Sequence, residues 1–395
     1  MEEIKIEFDF TLYKENENIR PLKLNIKEET YRDLANLELS MTGRVDALIS
    51  NTFIQEAVQL VINAISLFEK GYFDSAYYSL RQSLEVSTTI VYLMELDSTD
   101  REIELLNWKK QSRFPMYSEM VKFLIKNEKE FANIKKQMSN YFNKLQLVKE
   151  RLNKYVHKQG FNTFYVSRNH FANKSRDDNQ FIKEFEGFVE ACIGAIAVFR
   201  LSIDPIPVLL LEEEIYERLT GSLTEPFTED FISKYIGEDE IRSYKKTNIY
   251  LGYYEGCLTI EKRLPSVIDL LNYQFIDKSK IDEILSQVHL LSDVDIYAVT
   301  ISNFSDKVAT IYCDEGLTFY FTTTKSNRLK NSFNSMILKQ VKESNSHKNF
   351  PYDEAFLTYY KVDEIDIFIE HNEEFEESEV SLLTQLLKNS RKNNV

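Results

Sequence analysis

The chain is poor in cysteine, glycine, proline and tryptophan, with 3, 10, 7 and 1 of them in 395 residues. Cys192, Cys257 and Cys313 are far apart, odd in number and set in apolar sequence, so they cannot form a disulfide framework. No pair of them has the spacing of a zinc site, and no HExxH accompanies the histidines. Buried thiols in a reducing compartment are expected, which makes the cytoplasm the expected location. The shortage of glycine and proline excludes collagen-like and linker-rich chains and argues against extended disorder. Long apolar runs are also missing. Ala191 to Phe199 and Ile206 to Leu211 fall short of the roughly 18 to 20 residues needed to span a bilayer, so no membrane partner is expected. The opening Met1-Glu2-Glu3-Ile4-Lys5 lacks the basic start and apolar run of a signal peptide. No phosphate-cradling glycine loop, nucleophile elbow or carboxylate cluster with metal spacing occurs, so no metal or cofactor is expected.

The sequence is 43% hydrophobic and 13% aromatic, a globular composition, and its length suits two or three domains. The net charge of −15 argues against a general nucleic-acid coat protein, because phosphate binding is driven mainly by Lys and Arg. The charge is unevenly spread. Residues 101–180 hold 17 Lys and Arg against 8 Asp and Glu, whereas 181–240 hold 4 against 14. Such a basic segment is either the solvated face of long helices or a polyanion-binding face.

Ile4, Ile6, Phe8, Phe10 and Leu12 alternate with polar residues, and Leu22, Leu24 and Ile26 repeat the pattern, which predicts a β-hairpin over 1–30. From residue 31 to 204 the apolar spacing changes to three and four, predicting a helical bundle. Ile54, Val58, Val61, Ile65 and Phe68 form one stripe, Gly71 breaks it, and Ala76, Leu80, Leu84, Ser87, Val91 and Met94 form the next. A long helix is predicted through Ile134, Met138, Tyr141, Leu145, Val148, Leu152 and Tyr155, stopping at Gly160. A last one follows from about Asn179 to Leu201, with Phe181, Phe185, Phe188, Cys192, Ala195 and Phe199 inward. Asp204-Pro205-Ile206-Pro207 marks the boundary, since prolines so placed do not continue a helix. Residues 208–395 read as an α+β domain. Its strand candidates are 248–258, 295–302, 307–313, 317–323 and 365–370, with Asp314-Glu315-Gly316 as a hairpin turn.

One motif carries chemistry. Arg151-Leu152-Asn153-Lys154-Tyr155-Val156-His157 is the only place where an arginine precedes a histidine by five to seven positions. A guanidinium can hold a phosphate and an imidazole can move a proton. At 100° per residue, Arg151 falls roughly 80° from the buried stripe and His157 roughly 160° from it, so His157 points away from the core. The two are roughly 120° apart around the axis, so one helix alone does not converge them on a single atom. Asn153 and Lys154 lie one turn before His157, and Lys149, Lys154 and Lys158 would raise local phosphate affinity. Arg81 and Glu85 are four apart and read as an ion pair. His170 reads as a surface loop histidine and His289 as structural. The aromatics at 250–254 and 319–321 read as strand core.

The paired helices with Ala76-Tyr77-Tyr78-Ser79-Leu80-Arg81-Gln82-Ser83-Leu84-Glu85, followed by the helix ending in Arg151 to His157, resemble the HEPN superfamily over about residues 53–203. Many members are metal-independent endoribonucleases with an Arg-x4-6-His motif, in which two protomers pool their motifs in one cleft. The resemblance implies that Arg151 holds the scissile phosphate and His157 exchanges protons as the 2′-hydroxyl attacks, leaving cyclic phosphate ends. It also implies an RNA substrate, a homodimer and a toxin or abortive-infection antiviral setting. The C-terminal domain would then restrain activity or sense a protein or small-molecule trigger. The position after the arginine, commonly polar in active members, is Leu152 here. Asn153, one place later, lies on the His157 face. The alternative reading is a non-catalytic helical module for dimerisation or partner binding.

Overall fold

The computed structural model of the chain describes residues 21–25, 27–127, 129–164, 177–219, 221–313, 318–324, 335–344, 349–352, 355–362 and 364–390. They are mostly helical, with one mixed six-stranded sheet towards the C-terminus. The chain divides into two compact units: a helical one running to Ile215 and taking in 222–259, and a second made of 216–221 and 260–395. None of the described helices is long and apolar enough to cross a membrane. The N-terminal hairpin expected over 1–30 falls largely outside the described residues. Where the chain is described, 21–25 is irregular and a helix has begun by Lys27.

The helical unit opens with α1 (Lys27–Leu39), α2 (Leu48–Glu69) and α3 (Phe73–Glu95). Every residue of the Ile54 to Phe68 stripe is buried on α2, and Ala76, Leu80, Leu84, Ser87 and Val91 are buried on α3. Burying each of the Ile, Val, Leu and Phe side chains contributes about 1.5–3 kcal/mol, and this drives the pair together. Gly71 (φ 85°) turns the chain between them. Its N–H donates to Phe68 O and that of Tyr72 to Leu67 O, both at 2.9 Å, a left-handed helix stop for which glycine is suited. Next come α4 (Ser98–Lys109), α5 (Tyr117–Asn127), α6 (Glu130–Gln137), α7 (Ser139–Val156) and α8 (Asp178–Arg200). Central α3 packs against α2, α5, α7 and α8.

The single long helix expected through Ile134 and Tyr155 is two helices. Met138 (φ −99°, ψ 36°) ends α6 and precedes α7, and its side chain is fully buried at the bend. Apolar spacing continues across the break because both helices face one core, so spacing alone could not reveal it. On α8, Phe181, Phe185, Phe188, Cys192, Ala195 and Phe199 are all buried, and Asp177 caps the first turn through Asn179 and Gln180 N–H. The break at Asp204-Pro205 ends α8 but not the unit. Short helices α9 (Ile206–Leu209), α10 (Glu213–Leu219), α11 (Glu229–Tyr235), α12 (Glu238–Tyr244) and α13 (Asn248–Leu258) follow. Those within 222–259 return to the bundle, with the buried Tyr244 hydroxyl donating to Leu201 O at 2.7 Å.

The second unit holds α14 (Pro265–Tyr273), β1 (Phe275–Ile276), α15 (Ile281–Ser286), α16 (Asp293–Phe304), β2 (Val308–Cys313), β3 (Thr318–Thr322), α17 (Ser335–Glu343), β4 (Phe350–Tyr352), β5 (Ala355–Val362), β6 (Ile365–His371) and α18 (Glu377–Ser390). Strand order is β1-β3-β2-β6-β5-β4, antiparallel except for the parallel β1–β3 pair. Alternate residues of each strand point to opposite faces. Ile311, Cys313, Ile367 and Ile369 join α14, α16 and α18 in the larger core, while Tyr312, Leu357 and Phe368 meet Val341 of α17. All three cysteines are buried, and none is in a disulfide.

The strands expected at 307–313, 317–323 and 365–370 correspond to β2, β3 and β6; the turn at 314–316 lies outside the described residues. Two strand expectations are corrected. Residues 248–258 form α13, whose first turn is capped by Thr247 Oγ1, and 295–302 lie inside α16. Ser292 and Asp295 make a reciprocal capping box, which commits a β-branched run to helix. Strands β1, β4 and β5 have no counterpart among the expected strands.

Candidate functional site

Helix α7 ends in a motif that fixes where Arg151 and His157 stand. The last helical residue is Val156, four before the expected stop at Gly160. Gln159 N–H donates to Lys154 O (2.9 Å) and Lys158 N–H to Tyr155 O (3.3 Å), with Lys158 at φ 53°. This closes the last-turn carbonyls with a left-handed residue, here lysine instead of the usual glycine. His157 is the C-cap; its N–H donates to Asn153 O at 2.8 Å and its side chain is exposed. Leu152 and Val156 are buried, and Arg151 is 62% exposed. Leu152 therefore serves the core.

Arg151 does not stand free. Its Nη2 donates to Glu184 Oε1 of α8 at 2.5 Å, and the Tyr155 hydroxyl donates to Glu184 Oε2 at 3.0 Å. The guanidinium carbon lies 5.8 Å from the centroid of the Phe188 ring. Tyr155 in turn stacks on Tyr77 of α3 (4.2 Å, 6°). Burial, then the neighbouring Glu184 carboxylate, pushes the Tyr155 hydroxyl up to about 12, so it remains a donor at neutral pH. Glu184 is the residue that sequence reasoning missed. The available signal was its position, three after Phe181 and four before Phe188, which puts a carboxylate beside the aromatic stripe of α8.

The remaining candidates separate. Asn153 is half-buried, and its Oδ1 has no hydrogen-bond partner among the described residues. Lys154 is exposed. Lys158 pairs with Asp74 on the first turn of α3 and reaches Thr163 O at 3.4 Å, so it fastens the end of α7 to α3. Lys149 faces another neighbourhood: its ammonium lies 3.7 Å from the centroid of the Tyr117 ring. Burial, followed by the charge of Arg81, lowers its pKa. Arg81 and Glu85 form the expected i,i+4 ion pair at 2.8 Å. His289, expected to be structural, is more than half exposed and meets Glu261 at 2.7 Å. His170 lies outside the described residues.

Cavities of about 590, 260 and 230 Å³ occur in the helical unit, and neither Arg151 nor His157 lines any of them. Among the described residues, no three His, Cys, Asp or Glu side chains cluster so as to hold a metal ion. What α7 and α8 assemble is an exposed guanidinium braced by a carboxylate, one and a half turns before an exposed imidazole. No family model, curated protein or solved structure matches the chain.

Proposed function

We propose that the helical unit is an endoribonuclease of HEPN type, metal-independent and dimeric. Arg151 binds the scissile phosphate and His157 moves protons. The setting implied by the resemblance is a toxin or abortive-infection antiviral effector, with the C-terminal unit restraining the nuclease. In the reaction, the 2′-hydroxyl oxygen attacks phosphorus and loses its proton to a neutral imidazole. The 5′-oxygen of the next nucleotide leaves and takes a proton from a protonated imidazole. The products are a 2′,3′-cyclic phosphate and a 5′-hydroxyl end. Two protomers supply the two imidazoles, since the C-terminal end of a single α7 presents only one.

The observation that carries this reading is that Arg151 and His157 are both exposed at the C-terminal end of α7, while Leu152 between them is buried. Glu184 takes one guanidinium donor in a described hydrogen bond, and a guanidinium has five N–H groups to offer a phosphate.

The second reading, a non-catalytic module for dimerisation or partner binding, is favoured by one observation. The charge of Arg151 is already met by Glu184 and that of Lys158 by Asp74. The experiment that separates the two is incubation of purified protein with total RNA and a chelator. Arg151→Ala and His157→Ala should each lose at least about 100-fold in cleavage, the scale of general acid–base catalysis, with helical content unchanged. Equal cleavage by both variants and the native protein would remove the assigned site.

A further inference from the structure

The largest of the three cavities lies away from Arg151 and His157, and its lining is unlike that of a packing defect. One face of α3 gives it Arg81, Glu85 and Thr89, and the aromatic rings of Phe53, Trp108, Phe114 and Tyr117 supply its other walls. Phe53 and Trp108 pack with centroids 5.2 Å apart. At about 590 Å³ the space falls within the roughly 300–1,000 Å³ of small-molecule sites, whose usual make-up is aromatic walls with a few fixed polar groups.

Charge is the second observation. Arg81 spends one donor on Glu85, and its buried Nε has no hydrogen-bond partner among the described residues. The Arg81 side chain is about a quarter exposed, and a guanidinium has further N–H groups that a ligand acceptor can meet. Lys149, resting over the Tyr117 ring, adds a second cation nearby. The Lys149 ammonium is held below its usual range by burial first and by the charge of Arg81 second, against the opposing pull of Glu85 and Glu150.

We propose that this cavity binds a planar heteroaromatic anion of nucleoside monophosphate size, its ring against the aromatic walls and its anionic group on Arg81. The site belongs to the helical unit and stands whether or not that unit cleaves RNA. It also offers a small-molecule trigger a place in the helical unit instead of the C-terminal domain. Through Tyr117 and Lys149, the ligand would bear on α7 two residues before Arg151.

Trp108 is the sole tryptophan of the chain and lines the cavity, so its emission reports occupancy directly. The full-length protein is titrated with adenosine monophosphate, adenosine and ribose 5-phosphate. A saturable change is expected with the nucleotide, and binding at least about tenfold weaker with either fragment. Arg81→Gln should weaken nucleotide binding by at least about tenfold, the worth of one charge-assisted hydrogen bond. No saturable change with the nucleotide, or adenosine binding as tightly as the nucleotide, would overturn the proposal. So would undiminished binding by a folded Arg81→Gln protein. The comparison among ligands uses the native protein and decides the matter even if that variant fails to fold.

Discussion

Arg200 in the helical unit and His371 in the sheet unit are both fully buried, yet one brings a charge into the interior and the other leaves its charge behind. Arg200 donates through Nε to Ser40 O (2.6 Å), through Nη1 to Asp204 O (3.2 Å) and through Nη2 to Asp204 Oδ1 (3.0 Å). Asp204 also accepts from Thr42 Oγ1 at 2.5 Å and from Ile206 N at 3.2 Å. His371 sits between strands. Its Nδ1 faces Glu373 O (2.7 Å), which can only accept, so Nδ1 carries the proton and Nε2 accepts from Thr358 Oγ1 (2.8 Å). Phe375 stacks on the ring at 3.8 Å. A buried guanidinium stays charged and needs a counter-ion; a buried imidazole can stay neutral and needs only two hydrogen bonds. The two interiors should therefore fail under different stresses.

The largest effect belongs to the charged interior. Arg200→Met leaves Asp204 buried without its counter-ion and should destabilise the helical unit by about 3–5 kcal/mol. Hydrogen exchange resolved by segment checks it: protection should fall in α2, α3 and α8 while β2 and β6 keep theirs. Equal losses in both units would mean that they do not respond separately.

Acid attacks the other interior. Burial pushes the His371 imidazole down to about 4, against 6.5 when unfolded. Its stabilising contribution is whole above pH 6.5. As pH falls from 6.5 to about 4 the unfolded chain takes up a proton that the folded unit refuses, and about 3 kcal/mol is lost over that window. Urea midpoints of the sheet unit should fall across that range, and His371→Gln should flatten the fall. A midpoint independent of pH in the native protein would mean that the imidazole is not held neutral.

The same contrast governs what the sequence disclosed. On α2, α3 and α8 the apolar stripes run over many turns, so spacing alone located them even where the C-terminal halves of α3 and α8 are buried on every side. In the sheet unit, helix and strand are both short and buried on most sides, so periodicity carries little information. That is why residues 295–302 read as a strand until the Ser292–Asp295 box is seen, and why 355–362 passed unnoticed. The motif itself was legible, but its brace was not. Glu184 is 33 residues from Arg151 in sequence and reaches it only because α7 packs on α8.

A close approach within the helical unit gives an intermediate effect. A Cβ at Gly194 would collide with the carbonyl oxygen of Tyr235 and stand 3.0 Å from the Tyr141 hydroxyl oxygen. Gly194→Ala should cost about 1–3 kcal/mol by driving α11 off α8. A thermal melt measures the loss, and full stability in the variant would show that α11 can move freely.

The smallest change tests whether an exposed charge pair in this unit behaves unlike the buried Arg200–Asp204 pair. Lys158→Gly removes the pair with Asp74, worth up to about 1 kcal/mol at such exposure. It also relieves a lysine held at φ 53°, a left-handed conformation that costs a side-chain-bearing residue roughly 1–2 kcal/mol. The two terms oppose each other, so the melting midpoint should barely move, in contrast to Arg200→Met. The RNA cleavage we propose should also be retained if Lys158 only fastens α7 to α3. A tenfold fall in cleavage at unchanged stability would instead make Lys158 a contact for the RNA, one that must exchange Asp74 for phosphate when substrate binds.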